Sequence, residues 1–169
     1  MTPRPESTVD VTFDPAGPGD EEELVEMLRE FYAHEGLSYD DARARRALER
    51  LLADDALGRV WIARAGGETA GYFVVTFGYS LEFGGRDAFL DELYLREGFR
   101  GSGAGRRALE RAVEACREMG IEALHLEVER HNTSAQGFYR RLGFHDHDRY
   151  LMTRWVAEPA PHHEARTEG

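Results

Sequence analysis

Between a strand-like run that ends at Leu95 and a helix-like run that starts near Gly105, the chain reads Phe99-Arg100-Gly101-Ser102-Gly103-Ala104-Gly105-Arg106. Three glycines at every second position let the backbone turn tightly and approach a ligand with no Cβ atoms in the way. The helix that follows presents unpaired N–H groups and the positive end of its dipole to an anion. Arg100 and Arg106 bracket the loop and can add charge-assisted contacts to phosphate oxygens. A strand handing over to a helix through such a loop implies an α/β fold that holds a pyrophosphate.

The rest of the chain supports one mixed α/β domain. Residues 1–8 read as a flexible lead, and Val9-Asp10-Val11-Thr12-Phe13 alternates as a half-buried strand. Pro15 through Gly19 is a turn cluster, after which Asp20 is placed to cap a helix carrying Leu24, Val25, Leu28, Phe31 and Tyr32 on one face. A second helix follows Asp40, with Ala44, Ala47, Leu48, Leu51 and Leu52 as its stripe. Val60–Arg64 and Ala70–Phe77 read as strands joined at Ala65-Gly66-Gly67-Glu68, a hairpin signal. A fourth strand covers Ala88–Leu95, and the helix after the loop runs to about Met119, with Gly120 as its C-terminal glycine. Ala123–Val128 alternates as a strand, with His125 and Glu127 on the side expected to be solvated. A short helix spans about Ser134 to Leu142, a last strand about Tyr150–Val156, and the polar tail from Ala157 is expected to be disordered.

Composition narrows the function classes. The 169 residues are enough for one domain with a real core. No apolar run approaches the length of a membrane span and no export signal is visible, so the expectation is a soluble, cytoplasmic protein with no membrane partner. The lone cysteine, Cys116, lies on the apolar face of a predicted helix and reads as a core thiol. A net charge of −11 argues against nucleic acid as a partner and would favour a cationic substrate. All 21 basic residues are arginine, which fits a bias in coding as well as a functional demand.

Gly103-Ala104-Gly105-Arg106-Arg107-Ala108 also fits the dinucleotide pattern G-x-G-x-x-A, with Glu127 or Glu129 about 20 residues on, where a ribose-binding acid would sit. Two features oppose that reading. Seven residues separate Leu95 from Gly103, whereas such a fingerprint follows its strand almost directly, and the further βα units of a doubly wound sheet are missing. The wider pattern is Phe89-Leu90-Asp91-Glu92-Leu93-Tyr94-Leu95, then Arg100-x-x-Gly103-x-Gly105, then Glu129-x-x-Asn132, then Phe138-Tyr139-x-x-Leu142-Gly143-Phe144. Over about residues 9–156 it resembles the GCN5-related N-acetyltransferase (GNAT) family, and within it the diamine acetyltransferase-like branch most. The resemblance implies a mixed α/β fold with a splayed central sheet of six to seven strands and about four helices. Strands four and five would part to admit acetyl-CoA, and no metal is implied. Leu93, Tyr94 and Leu95 match the strand that pairs with the pantetheine amides. Arg100, Gly101, Ser102, Gly103, Ala104 and Gly105 match the loop around the pyrophosphate, extended by Arg106. Asn132 matches a pantetheine-side asparagine and Tyr139 a general acid. Homodimers are common in this family.

Acetyl transfer to an amine needs a neutral nitrogen, a polarised thioester carbonyl and a protonated leaving thiolate. An alkyl amine of pKa ~10.4 is neutral in roughly one molecule in a few thousand at pH 7. A carboxylate of pKa ~4 is a poor direct base for that proton, so water relays from Asp91 or Glu92 are favoured unless burial raises one of them. Adjacent carboxylates on a regular strand point to opposite faces, so only one would face the slot. The family motif favours Asp91 and side-chain length favours Glu92, and the motif places Asp91 slightly ahead. Tyr139, with pKa ~10, stays protonated beside a thiolate of pKa ~8.5. The oxyanion would draw on the amide of Leu93 or Tyr94.

Glu35, Tyr39, Tyr79 and Glu82 fall in segments that match the family's acceptor-site walls. His145-Asp146-His147 offers two histidines with no third ligand in register, a weak metal signal, and His162-His163 lie in the tail. The expected function is transfer of acetyl from acetyl-CoA to a primary amine of a small molecule through a ternary complex. A peptide N-acetyltransferase of the same fold and a non-catalytic acetyl-CoA-binding module are the alternatives.

Overall fold

A computed structural model describes residues 10–157. The chain divides into two compact units, Met1–Leu126 and Glu127–Gly169. The first holds a sheet of strands β1 (Val11–Pro15), β2 (Gly58–Ala65), β3 (Glu68–Ser80), β4 (Gly85–Leu95) and β5 (Ala123–His125), in that spatial order. Neighbours from β1 to β4 are antiparallel and β5 is parallel to β4. The β2–β3 hairpin closes on Gly66 and Gly67, whose φ of 59° and 81° only glycine adopts without strain. Reaching a parallel β5 requires a crossover, and helix α3 (Ala104–Glu118) supplies it.

Alternation along the strands sorts the core into two layers. Val60, Ile62, Tyr72, Val74 and Tyr94 pack with Leu24, Val25, Met27 and Leu28 of α1 (Glu21–Glu35) and Leu48 of α2 (Asp41–Ala53). On the opposite face Ala63, Ala65 and Ala70 are small enough for Ala104, at the start of α3, to pack closely among them. The helix ends follow local chemistry. The Asp40 carboxylate accepts from the Arg43 N–H at 3.0 Å and caps α2. Gly120, at φ 68°, follows the end of α3, and the Ile121 N–H closes back on the Cys116 carbonyl at 2.9 Å. Cys116 is buried.

Three expectations are corrected. Asp20 does not cap α1 with its side chain; its carboxylate accepts from the Gly17 N–H at 2.8 Å, closing the 3-10 turn before the helix. The fifth strand stops at His125 rather than Val128, because its ladder with β4 ends at the Phe89–His125 pair and a strand needs a partner. The sheet has five strands among the described residues, not six or seven, and Tyr150–Val156 forms none. That segment alternates like a strand, but Tyr150, Leu151, Met152 and Val156 stay exposed with no ladder beside them, and a strand is made by its neighbours. The second unit holds one helix among the described residues, α4 (Thr133–Arg141). Val9, the residue 1–8 lead, the tail beyond residue 157 and His162-His163 lie outside the described residues.

Candidate active site

A break in the regular alternation of β4 builds the centre of the site. Val74 pairs with Glu92 and Val75 with Leu90, so Asp91 is an extra residue with no partner on β3. Such a bulge bends the strand and re-aims the side chains around it. Asp87 and Phe89 before it, and Glu92 and Tyr94 after it, therefore share the face toward α1 and α2. The expectation that only one of the two carboxylates faces the slot rests on a regular pleat, and the bulge interrupts that pleat at Asp91. The charges of both Glu92 and Asp91 act on the Tyr32 hydroxyl, which burial first and these charges second push up to about 12.

Glu92 is half-buried over the aromatic floor of this face. The Tyr72 hydroxyl donates to its Oε2 at 2.7 Å, and Tyr32 adds a second hydrogen bond. Burial outweighs both bonds and pushes the Glu92 carboxyl up to about 7. Tyr72 is pushed up by burial and by the neighbouring carboxylate. Asp91 keeps open surface, yet enough protein surrounds its carboxyl for loss of water to push its pKa up as well. The rings of Tyr32, Phe31, Tyr94 and Tyr72 continue the wall, with Tyr39 set edge-on to Tyr32 at 5.7 Å between centroids.

Beyond Phe89, β4 pairs with β3 as far as Leu95 but no longer with β5. Backbone groups alternate along the strand: Tyr94 turns its carbonyl toward Gly71 of β3, while Leu93 and Leu95 turn theirs to the edge facing the gap. There Arg100 takes the Leu95 carbonyl, and the Leu93 groups and the Leu95 N–H are left for an extended ligand with amides. The end of β4 is held to α1: Arg96 donates twice to Glu30, at 3.0 and 2.9 Å, and the Tyr94 hydroxyl donates to the same carboxylate. The chain then makes a 3-10 turn, Glu97–Phe99, and enters the glycine loop. Gly101 and Gly103 take φ of 71° and 83°, and Gly103 is the N-cap of α3 with no side-chain cap. The N–H groups of Ala104, Gly105 and Arg106 open that helix and are left for an anion. The Ser102 hydroxyl donates to the Phe99 carbonyl at 2.6 Å and braces the turn. Arg100, exposed, folds back along the end of β4, its Nε donating to the Leu95 carbonyl at 2.7 Å and its guanidinium over the Tyr94 ring. Arg106 pairs with Glu110 at 2.8 Å on the exposed side of α3.

The remaining expected residues are spread around these elements. Glu35 ends α1 at the surface, and the Tyr39 hydroxyl donates to Asp41 at 3.2 Å. Tyr79, 73% exposed, ends β3, and Glu82 lies in the turn that follows. In the second unit the Asn132 side-chain oxygen accepts from the Ala135 N–H at 3.1 Å and caps α4, leaving its amide N–H groups for other partners. Tyr139 packs edge-on against Phe144 at 5.9 Å, and burial pushes its hydroxyl up. No cluster of three or more His, Cys, Asp or Glu among the described residues could hold a metal ion. Asp146 is instead held by Arg140.

Sequence reasoning missed Tyr72 and Tyr32, which no motif marks; only the register of β3 against β4 brings Tyr72 to Glu92. It also misread His125, whose side chain is 17% exposed, with Nε2 3.2 Å from the Asp87 carboxylate.

The bulged, half-open β4 followed by a glycine loop at a helix start is matched by a family model. The "Acetyltransferase (GNAT) family" model aligns with residues 22–144, well over half of the chain. The chain belongs to the GNAT family. An L-methionine sulfoximine/L-methionine sulfone acetyltransferase of Pseudomonas paraeruginosa is 33% identical over 105 residues, 62% of this chain. The chain spans about half, 55%, of that relative's length. A thialysine N-epsilon-acetyltransferase of Bos taurus is 29% identical over 140 residues, covering 76% of this chain and 80% of its own. Among solved structures, an integron cassette protein from the Cole Harbour Salt Marsh metagenome has a TM-score of 0.77 at 35% identity, covering 87% of this chain and 91% of its own. A predicted acetyltransferase of Clostridium acetobutylicum, solved with acetyl-CoA, has a TM-score of 0.72 at 22% identity over 86% of this chain and 96% of its own, a likeness of fold. No helix among the described residues is long and apolar enough to cross a membrane.

Proposed function

We propose that this GNAT member is an acetyl-CoA-dependent N-acetyltransferase that moves the acetyl group directly to a primary amine of a small molecule within a ternary complex. The observation that carries this reading is the placement of Glu92, a half-buried carboxylate just past the bulge of β4 and beside its unpaired edge, held by the Tyr72 hydroxyl and pushed by burial up to about 7. A base of that strength serves proton removal at physiological pH far better than an ordinary carboxylate. The two named small-molecule acetyltransferases among the relatives support the substrate class. The fit of the donor rests on the glycine loop for its pyrophosphate and on the edge at Leu93–Leu95 for its amides. When bound, acetyl-CoA supplies the thioester carbon that the amine nitrogen attacks.

In this reading Glu92 takes the proton released as the N–C bond forms, directly or through one water. Asp91, at the open side of the bulge, passes protons toward solvent. Of the two expected amides, Leu93 and Tyr94, the Leu93 N–H lies on the unpaired side of β4 and faces the developing oxyanion, the Tyr94 backbone being turned to β3. Tyr139 donates a proton to the departing sulfur, an assignment that rests on its motif and on burial keeping it protonated. Replacing Tyr139 by Phe is expected to lower kcat about 100-fold with the KM for acetyl-CoA within about twofold. Unchanged kcat in steady-state assays removes Tyr139 as the acid.

The reading itself is tested by thiol release from acetyl-CoA across a panel of primary amines, against a control without acceptor. The donor site is tested separately. Acetyl-CoA is expected to raise the melting temperature through linkage. Gly103→Val is expected to abolish that rise, because a β-branched residue is strained at φ 83° and its bulk enters the anion seat. A Cβ there meets no atom within 4 Å, so the unliganded fold bears local backbone strain, on the order of 1–3 kcal/mol, and no steric clash; the melting temperature without acetyl-CoA checks that the variant is folded. A normal thermal shift in the variant would refute the loop as the pyrophosphate site.

A further inference from the structure

The pairing of His125 with Asp87 is unused by the mechanism above. His125 stands on the last rung of the β4–β5 ladder, opposite Phe89, where the two strands part. Its ring is covered by Phe83 at 4.5 Å and Phe89 at 5.3 Å between centroids. The Asp87 carboxylate lies 3.2 Å from Nε2, with side chains 17% and 16% exposed, so the pair is shielded but reachable. Gly78 opposite Asp87 makes room for it: a Cβ there would stand 2.7 Å from the carboxylate oxygen.

Because the carboxylate can only accept, it fixes an N–H at Nε2, and in the neutral imidazole the lone pair then lies on Nδ1. The register places this pair on the same face as Glu92. Thr76 pairs with Phe89, which pairs with His125, and two residues back on β3 Val74 pairs with Glu92. By strand rise and spacing, His125 and Glu92 have Cα atoms about 8 Å apart. One small molecule with four or five carbons between two polar ends spans that gap.

We propose that His125, oriented by Asp87, is a specificity residue that accepts a hydrogen bond from a second N–H or O–H donor on the acceptor amine. The amine undergoing transfer lies at Glu92 and the distal donor at Nδ1. Asp87 acts through His125 and is a positioning residue. The phenylalanine rings exclude water from the contact and strengthen it. This inference rests on the amine-acetylation reading.

The test compares three acceptors of one chain length, pentylamine, 5-aminopentan-1-ol and 1,5-diaminopentane, with acetyl-CoA and the wild-type, His125→Leu, His125→Asn and Asp87→Asn proteins. Wild type is expected to show a lower KM for one or both bifunctional amines than for pentylamine. His125→Leu should raise that KM about tenfold, the loss of one hydrogen bond to a polar donor, with kcat and the pentylamine KM within about twofold. His125→Asn, whose side-chain oxygen stands near the position of Nδ1, should recover part of the loss, and Asp87→Asn should fall between. A merely structural role would instead lower the melting temperature and change all three acceptors alike, which overturns the proposal. So does an unchanged KM in a folded His125→Leu protein. Absence of thiol release with these and the whole amine panel sinks the acetylation reading itself; release without the KM difference sinks this inference alone.

Discussion

Glu92→Gln is expected to lower kcat about 100-fold or more near neutral pH while making the folded protein more stable above pH 7. Both effects come from the same burial. Loss of water around Glu92 raises its carboxyl from the ordinary 4.5 to about 7. Between those values the folded chain keeps a proton that the unfolded chain has released, so stability falls as pH rises through this window. Above pH 7 the accumulated cost is about 3 kcal/mol. Glutamine carries no charge to desolvate and still accepts a hydrogen bond from Tyr72, so the variant escapes the loss. Denaturant midpoints at pH 5 and pH 8 measure it: wild type should lose stability between them and the variant should lose less. In the rate profile, wild-type kcat should rise through a limb near pH 7 that the variant lacks. An unchanged kcat would remove Glu92 as the base, and equal pH dependence of stability would refute its buried, raised state.

Gly71→Ala is expected to destabilise the protein on the order of 3 kcal/mol, the upper end for overpacking, and to lower the melting temperature by about 10 °C. A Cβ at Gly71 would stand 2.0 Å from the Tyr94 carbonyl oxygen and 3.0 Å from the Leu95 Cα. Both are backbone atoms of the neighbouring strand, so neither can swing aside as a side-chain tip would. Relief requires β3 and β4 to part where Gly71 pairs with Leu95. That is also where the proposed pantetheine edge leads into the glycine loop, so acetyl-CoA affinity should fall with stability. Gly19→Ala is the control, since a Cβ there meets nothing within 4 Å. Equal melting temperatures for the two variants would show that the close approach at Gly71 does not matter.

Much of this molecule is legible along the chain because the signals are local. The four helices, the glycine-closed hairpin and the glycine loop each announce themselves through periodicity or through residues that few backbone shapes tolerate. The strand expected at Tyr150–Val156 shows the limit, because alternation describes a segment that could join a sheet and not whether one stands beside it. Asp20 shows another: it is a good capping residue, but the Gly17 N–H competes for its carboxylate and wins.

The sequence by itself determined the glycine loop at Arg100–Gly105, the acidic pair Asp91-Glu92 and, through the spacing of Asn132 and Tyr139, the family. Tertiary structure decided how those two carboxylates differ. A one-residue bulge at Asp91 turns Glu92 onto the face of α1 and α2, and the register of β3 brings Tyr72 under it. The same register turns His125 from an expected surface residue into a shielded partner of Asp87. A carboxyl's strength depends on how much water is excluded around it, and an imidazole's role on what lies across the strand. Both are properties of neighbours distant in the chain, which no spacing along it records.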